Sequence, residues 1–147
     1  MKIIYVVFLF FGITSCETKK HISFVVNSIN NCFEGTNQIE VDEKAFYDEN
    51  SKVLTIYIGQ NQIISLKKWE IPITELNPEN IYYENLDFPY IITSVPNGLK
   101  KIKYYENNIL VDSLNQISYP IHDYCLNKEG IENLIKQYKQ AVIDIND

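Results

Sequence analysis

From Phe46 onward, apolar and polar residues alternate in short runs broken by turn-forming residues, the signature of half-buried β-strands joined by tight connections. A strand ending at Tyr47 and the run Val53 to Gly59 flank a loop at Asp48-Glu49-Asn50-Ser51; in the second run Leu54, Ile56 and Ile58 share one face, Thr55 and Tyr57 the other. The pattern continues through Gln62 to Ile73, where the apolar phase shifts from Ile64 and Leu66 to Trp69, Ile71 and Ile73 across Lys67-Lys68, as a β-bulge there would produce. Pro72 assigns the end of that strand to a sheet edge. A turn at Leu76-Asn77-Pro78-Glu79-Asn80 precedes strands over Ile81 to Glu84 and Pro89 to Val95. Pro96-Asn97-Gly98 then turns the chain into Leu99 to Glu106, with Ile102 and Tyr104 inward and Lys101, Lys103 and Tyr105 outward. Asn107-Asn108 makes another turn, and Ile109 to Asp112 and Gln116 to Ile121 complete the strands.

The period changes at the C-terminus. Asn127 is a competent N-cap, and Ile131, Leu134, Ile135, Tyr138, Ala141, Val142 and Ile145 recur at helical spacing, which predicts an amphipathic helix over 128–145 with a stripe that must be buried. Nearer the N-terminus, Ile22 to Ile29 is apolar without a clean period and fits a first strand or a helical turn packed on the domain. The sum is a mainly β (α+β) chain: a curved antiparallel sheet or partly open barrel of six to seven short strands with one C-terminal amphipathic helix.

The first residues have another purpose. Lys2 gives a short positive n-region, and Ile3 to Ile13 is an uncharged apolar run of secretory-leader length; roughly 20 apolar residues are needed to cross a bilayer, so the run is too short to span one. Ile13-Thr14-Ser15-Cys16 closes it, and this tetrad resembles the lipobox of bacterial lipoproteins: an aliphatic residue, a small or β-branched one, a small one, then cysteine. The resemblance implies a signal peptide over 1–15, a thioether-linked diacylglycerol on Cys16, and further acylation of the freed amine, hence a lipid-anchored protein of the bacterial cell envelope. The alternative is an ordinary secreted chain with Cys16 left for a disulfide. Residues 16–30 are then expected to be lipidated cysteine plus tether, and 31–147 a single β-rich domain.

In order of elements the body resembles a pleckstrin-homology-like barrel, whose helix plugs an open end, and small α+β lipoprotein domains with a helix across a curved sheet. This implies a scaffold, not an activity. The basic phosphoinositide-binding loop of some such barrels has no counterpart beyond Lys67-Lys68 and the Lys100-Lys101-Lys103 group.

Charge narrows the partners. The chain carries −6, and removing Met1 to Cys16 takes away one lysine and no acid, leaving −7. An acidic surface argues against nucleic acid or anionic headgroups as partners. Every basic residue is lysine, so no planar fork exists for bidentate phosphate recognition.

Lipidation of Cys16 would leave Cys32 and Cys125, which in an oxidising compartment are expected to pair; on the chain-entropy model closing so long a loop contributes about 4 to 5 kcal/mol. Two separate buried thiols remain the alternative, because sequence does not place two α-carbons within bridging distance. His122-Asp123-Tyr124-Cys125 suggests a Cys-His nucleophile only superficially, since such partners are brought together by folds rather than by adjacency. With His21 and His122 as the only histidines, no zinc site is expected, and Glu40, Asp42, Glu43, Asp48 and Glu49 lack a glycine-punctuated calcium loop. Neither a phosphate loop nor a nucleophile elbow occurs; no cofactor and no enzymatic activity are expected.

What is left is surface. Tyr57, Tyr82 and Tyr105, with Lys101 and Lys103, form a possible interaction patch, since tyrosine gives large contact area at low entropy cost; alternatively tyrosine merely fills exposed strand positions and the lysines protect an edge. The expected function is a membrane-anchored, non-enzymatic protein-interaction module, in a pointed version an inhibitor or immunity protein whose charge steers a basic partner. A small-ligand or glycan binder using a barrel mouth is the alternative.

Overall fold

Eight strands bracketed by two helices make up the computed structural model, which describes residues 11–33, 41–60, 64–85, 89–120 and 126–147. In chain order these are α1 (Phe11–Phe33), β1 (Val41–Asp48), β2 (Val53–Gln60), β3 (Ile64–Pro72), β4 (Ile81–Asn85), β5 (Pro89–Ser94), β6 (Ile102–Glu106), β7 (Ile109–Leu114), β8 (Gln116–Pro120) and α2 (Lys128–Asn146). All pairings are antiparallel. They form two open sheets, one of five strands in the order β1-β2-β3-β6-β7 and one of three in the order β4-β5-β8. The mainly β architecture with a C-terminal helix is therefore as expected, with one or two more strands than the six to seven anticipated and no closed barrel among the described residues.

Local chemistry explains most element ends. Asp48 accepts from the Asn50 N–H at 2.9 Å in the β1–β2 connection, where Lys52 takes a left-handed conformation (φ 56) to close the loop. Between β6 and β7, Asn107 and Asn108 both have positive φ, 50 and 64, the backbone of a two-residue turn whose twist matches its strands. Asn107 also joins the turn to β3, donating its N–H to the Leu66 carbonyl at 2.8 Å and accepting from the Leu66 N–H at 3.0 Å. Asn97 and Gly98 adopt left-handed φ in the expected turn before β6. Asn127 caps α2, accepting from the Gly130 N–H at 2.8 Å. The irregularity between β2 and β3 lies between Ile58/Lys67 and Gln60/Ile64, so Lys67 and Lys68 themselves pair regularly and the bulge precedes them.

The chain leaves the large sheet after β3 and returns at β6, then leaves again after β7. The crossings before β6 and after β7 lie side by side, joined by the Val95 N–H donating to the Asn115 carbonyl at 2.8 Å. Leu54, Ile56, Ile71 and Ile102 of the large sheet, Ile81, Ile91, Ile117 and Tyr119 of the small one, and Ile131, Leu134, Tyr138 and Val142 of α2 form one buried core.

The N-terminal helix differs most from the expected organisation. Ile22 to Ile29, left open between strand and helix, is helical, and Ile22, Val25, Ile29 and Cys32 are buried at helical spacing against α2 and β1. Residues expected to be a tether are thus part of the folded body from about His21, whose Nδ1 lies 2.7 Å from the Asp144 carboxylate near the end of α2. Physically, a mixed apolar run is ambiguous until a partner surface exists; α2 and β1 supply it. None of the helices among the described residues is long and apolar enough to cross a membrane.

Candidate interaction surface

The outward face of the large sheet is built in rows that run across the strands. One row is Tyr57, Lys68, Tyr105 and Leu110, taken from β2, β3, β6 and β7 in turn; the next is Phe46, Thr55, Glu70, Lys103 and Ser113, taken from β1, β2, β3, β6 and β7. Neighbouring strands are about 4.8 Å apart, so Tyr57 and Tyr105 stand about 10 Å from each other with Lys68 between them.

Glu70 is the hub of this face. Its Oε1 accepts from Lys68 Nζ at 2.9 Å and its Oε2 from the Tyr105 hydroxyl at 2.8 Å, with Lys103 Nζ at 3.9 Å. The Lys68 ammonium also lies 3.9 Å from the centre of the Tyr105 ring. Partial burial pushes the Glu70 carboxyl up, but hydrogen bonds from Lys68 and Tyr105 and the charges of Lys68 and Lys103 outweigh it, holding the group below its ordinary range. The same contacts act on the partners: the hydrogen bond to Glu70 raises Lys68, and burial followed by Glu70 raises Tyr105. The arrangement fixes Tyr105 and Lys68 in place, while Phe46 at the β1 end of the face is 58 % exposed.

The inner face has its own aromatic pair. Trp69 and Tyr104 stack with ring centres 5.4 Å apart. The Tyr104 hydroxyl donates to Glu106, and that bond, with burial, pushes its pKa up to about 12.

The two edges of the large sheet are unlike. At β1, the Asn30 side chain of α1 donates to the Ala45 carbonyl at 3.0 Å and accepts from the Ala45 N–H at 2.6 Å, occupying the backbone groups that another strand would use. At β7, Ile109, Leu110 and Val111 are 71 %, 52 % and 54 % exposed, and no described element pairs beyond them. A shift in the β6–β7 register between Tyr104/Asp112 and Tyr105/Leu110 leaves Val111 as the extra residue of a bulge.

Of the residues singled out in the sequence, the structure brings Tyr57, Tyr105 and Lys103 onto the outward face. Tyr82 is exposed but belongs to β4 of the other sheet. Lys101 precedes β6 and pairs with Glu75 at 3.6 Å. Lys103 does not sit on an edge strand, because β6 lies inside the sheet between β3 and β7. Cys16 lies within α1, Cys32 is buried in the core, and Cys125, His122 and Asp123 lie outside the described residues. Lys68 and Glu70 went unrecognised as a site; only their i, i+2 spacing beside Trp69 placed them on one strand face. The apolar β7 triplet was legible as three consecutive apolar residues in a short strand, which no single-faced strand can bury.

Elsewhere the chemistry is sparse. The hydroxyls of Thr93 and Tyr138 are fully buried and approach one another without forming a well-directed hydrogen bond; burial drives the Tyr138 phenol upward, only partly opposed by Thr93. Among the described residues no group of three or more His, Cys, Asp or Glu side chains is placed to hold a metal. No family model, curated protein or solved structure matches this chain.

Proposed function

We propose that the chain is a lipid-anchored protein of the bacterial cell envelope, a non-enzymatic interaction module whose outward sheet face takes a protein partner. The lipobox-like tetrad ending at Cys16 supports the anchor, and the packing of α1 from Ile22 onward adds a consequence. Ile22, the first buried side chain among those described, follows Cys16 by six positions, about 9 Å along a helix. An acylated Cys16 would therefore hold the domain against the bilayer, not on a long leash. Intact mass of the native protein tests this: it should correspond to a chain beginning at Cys16 plus a diacylglycerol and an acyl group, and a bare or disulfide-linked Cys16 overturns it.

The observation that carries the binding role is the row Tyr57, Lys68, Tyr105, with two tyrosines on one sheet face and one of them clamped by Glu70. Immobilised aromatic side chains lose little entropy on binding and make good anchors. Lys68 and Lys103 on this face are both ion-paired to Glu70, while the chain as a whole carries −6. A basic partner, such as the toxin or hydrolase met by an immunity protein or inhibitor, would be attracted by the overall field and gripped by the tyrosines. Salt should then slow association, while Tyr57→Ala with Tyr105→Ala should shorten the lifetime of the complex. Photo-cross-linkers at 57 and 105 in intact cells should give an adduct with one discrete protein, and one at Tyr82, on the other sheet, should not. Equal adducts from all three positions, or none from 57 and 105, overturn the reading. The ligand-binding alternative draws less support, since the described strands form two open sheets.

A further inference from the structure

We infer that the β7 edge is a homodimer interface, at which a second copy of this chain adds its own β7 antiparallel and joins two five-stranded sheets into one. The inference stands apart from the partner-binding face, because it uses the edge of the sheet and not its surface.

An edge strand presents a row of unpaired N–H and C=O groups; at β1 the Asn30 side chain covers part of that row, whereas at β7 no described element does, and only the bulge at Val111 and the inward-facing Asp112 interrupt it. Asn30 occupies the Ala45 groups in the middle of β1, so a β7 edge meets an interrupted ladder on the β1 edge of a neighbour, which disfavours growth into a filament. The pairing left to two copies is β7 with β7 about a two-fold axis, which closes on itself. The strand has no lysine or proline to discourage it, and the bulge at Val111 turns an apolar side chain outward.

Charge selects both the occupant and the register. Asp112 is the one charged residue of β7, and Lys100 lies 3.8 Å from it, so the edge is balanced rather than of one sign. A basic strand would be laid near Lys100 and Lys103, an acidic one beside Asp112, whereas a second β7 brings as much of each charge as it meets. Side chains directly opposite one another share a sheet face. Ile109 and Asp112 both belong to the inward face, opposite Glu106 and Tyr104 of β6. An axis between Leu110 and Val111 sets Ile109 against Asp112 and Leu110 against Val111, keeping both sheets in phase. It also separates the two Asp112 carboxylates by three residues along the strand, about 10 Å, roughly a Debye length. An axis one residue further on would bring them almost side by side.

The test uses the full chain purified in density-matched detergent. Sedimentation should show a concentration-dependent monomer–dimer equilibrium, and Val111→Lys should weaken the dimer at least about tenfold by setting a lysine from each copy at the axis, while keeping the wild-type circular dichroism. Val111→Cys should form a disulfide-linked dimer under mild oxidation, since residues offset by one step across paired strands lie within bridging distance, and Asp112→Cys should not. A wild-type chain that stays monomeric throughout overturns the inference, as does a dimer indifferent to Val111→Lys, or one cross-linked equally well through position 112. Because Tyr57 and Tyr105 are untouched, loss of the dimer with retained partner cross-links, or the reverse, separates this inference from the proposed function.

Discussion

The two edges of the five-stranded sheet face the same physical problem and solve it differently. At β1 the solution comes from outside the strand: α1 lies alongside, and one amide, that of Asn30, donates to the carbonyl and accepts from the N–H of Ala45. At β7 no described element plays that part, and the strand exposes Ile109, Leu110 and Val111. Charged residues in β1 (Asp42, Glu43, Lys44) and their near absence in β7 widen the contrast. Protection of an edge is therefore not a property of the whole sheet but of what packs beside each end, and an edge left apolar is an edge available for association.

The largest expected effect comes from loosening the helix that guards β1. Ile29 is buried, and Ile29→Ala should cost about 2 to 5 kcal/mol in urea unfolding, from lost transfer energy plus a cavity. Asn30→Ala should cost less, about 1 to 3 kcal/mol, because it leaves both polar groups of Ala45 without their partner. The two variants are distinguished by assembly. With β1 uncovered and β7 already open, edge pairing no longer closes at two copies, so Asn30→Ala should give larger species as concentration rises in sedimentation. If Asn30→Ala assembles no further than wild type, the difference between the edges is not what limits growth.

Much of this was legible in the sequence, and the exceptions share a cause. Strands with alternating faces, such as Val53–Gln60, and turns with their own chemistry, such as Asn107-Asn108, are specified locally and lie within a residue or two of where the pattern puts them. The helix over Lys128–Asn146 likewise follows from its stripe and its Asn127 cap. What the sequence left open depends on tertiary partners. Ile22 to Ile29 needed α2 before its helical face could be told from a strand, and the sharing of eight strands between two sheets depends on where the chain crosses at Val95 and Asn115. Of the site, Tyr57, Tyr105 and Lys103 were accessible from alternation alone. Glu70 was not, because its meaning comes from Tyr105, which is 35 positions away in the chain.

The middle of the sheet offers smaller effects that test whether its outward face is as rigid as the edges are different. Replacing Glu70 by Gln should cost about 1 kcal/mol at neutral pH, through weakened bonds from Lys68 and Tyr105. The Glu70 carboxyl lies below its ordinary value of 4.5 in the folded chain, so its contribution is present above about pH 4.5 and is lost as pH falls through the lowered value. The gap between wild type and Glu70→Gln in urea should therefore narrow on acidification. On the inward side, next to β7, the sign reverses. Tyr104 is raised from 10.0 to about 12, so the stability it contributes is complete below pH 10 and disappears as pH rises through about 12. An ultraviolet titration should show that late phenol, and Glu106→Gln should move it back toward the ordinary range.

The smallest effect is expected at the β7 edge itself, and it is the one that most sharply separates the edges. Leu110 lies on the outward face opposite Tyr105 and is about half exposed, so Leu110→Lys removes little buried apolar surface from a single chain. Surface changes of this kind fall within about 0.5 kcal/mol. Measured at low protein concentration, where chains are separate, urea midpoints of the variant and the wild type should therefore coincide. Raising the concentration should part them, since a dimer that forms only from folded chains stabilises the wild type by mass action and the variant much less. Asn30→Ala should show the opposite order, a large loss already present in the separate chain. A Leu110→Lys penalty well above 1 kcal/mol at low concentration would mean that β7 is packed within its own chain, and the two edges would then be alike in being covered.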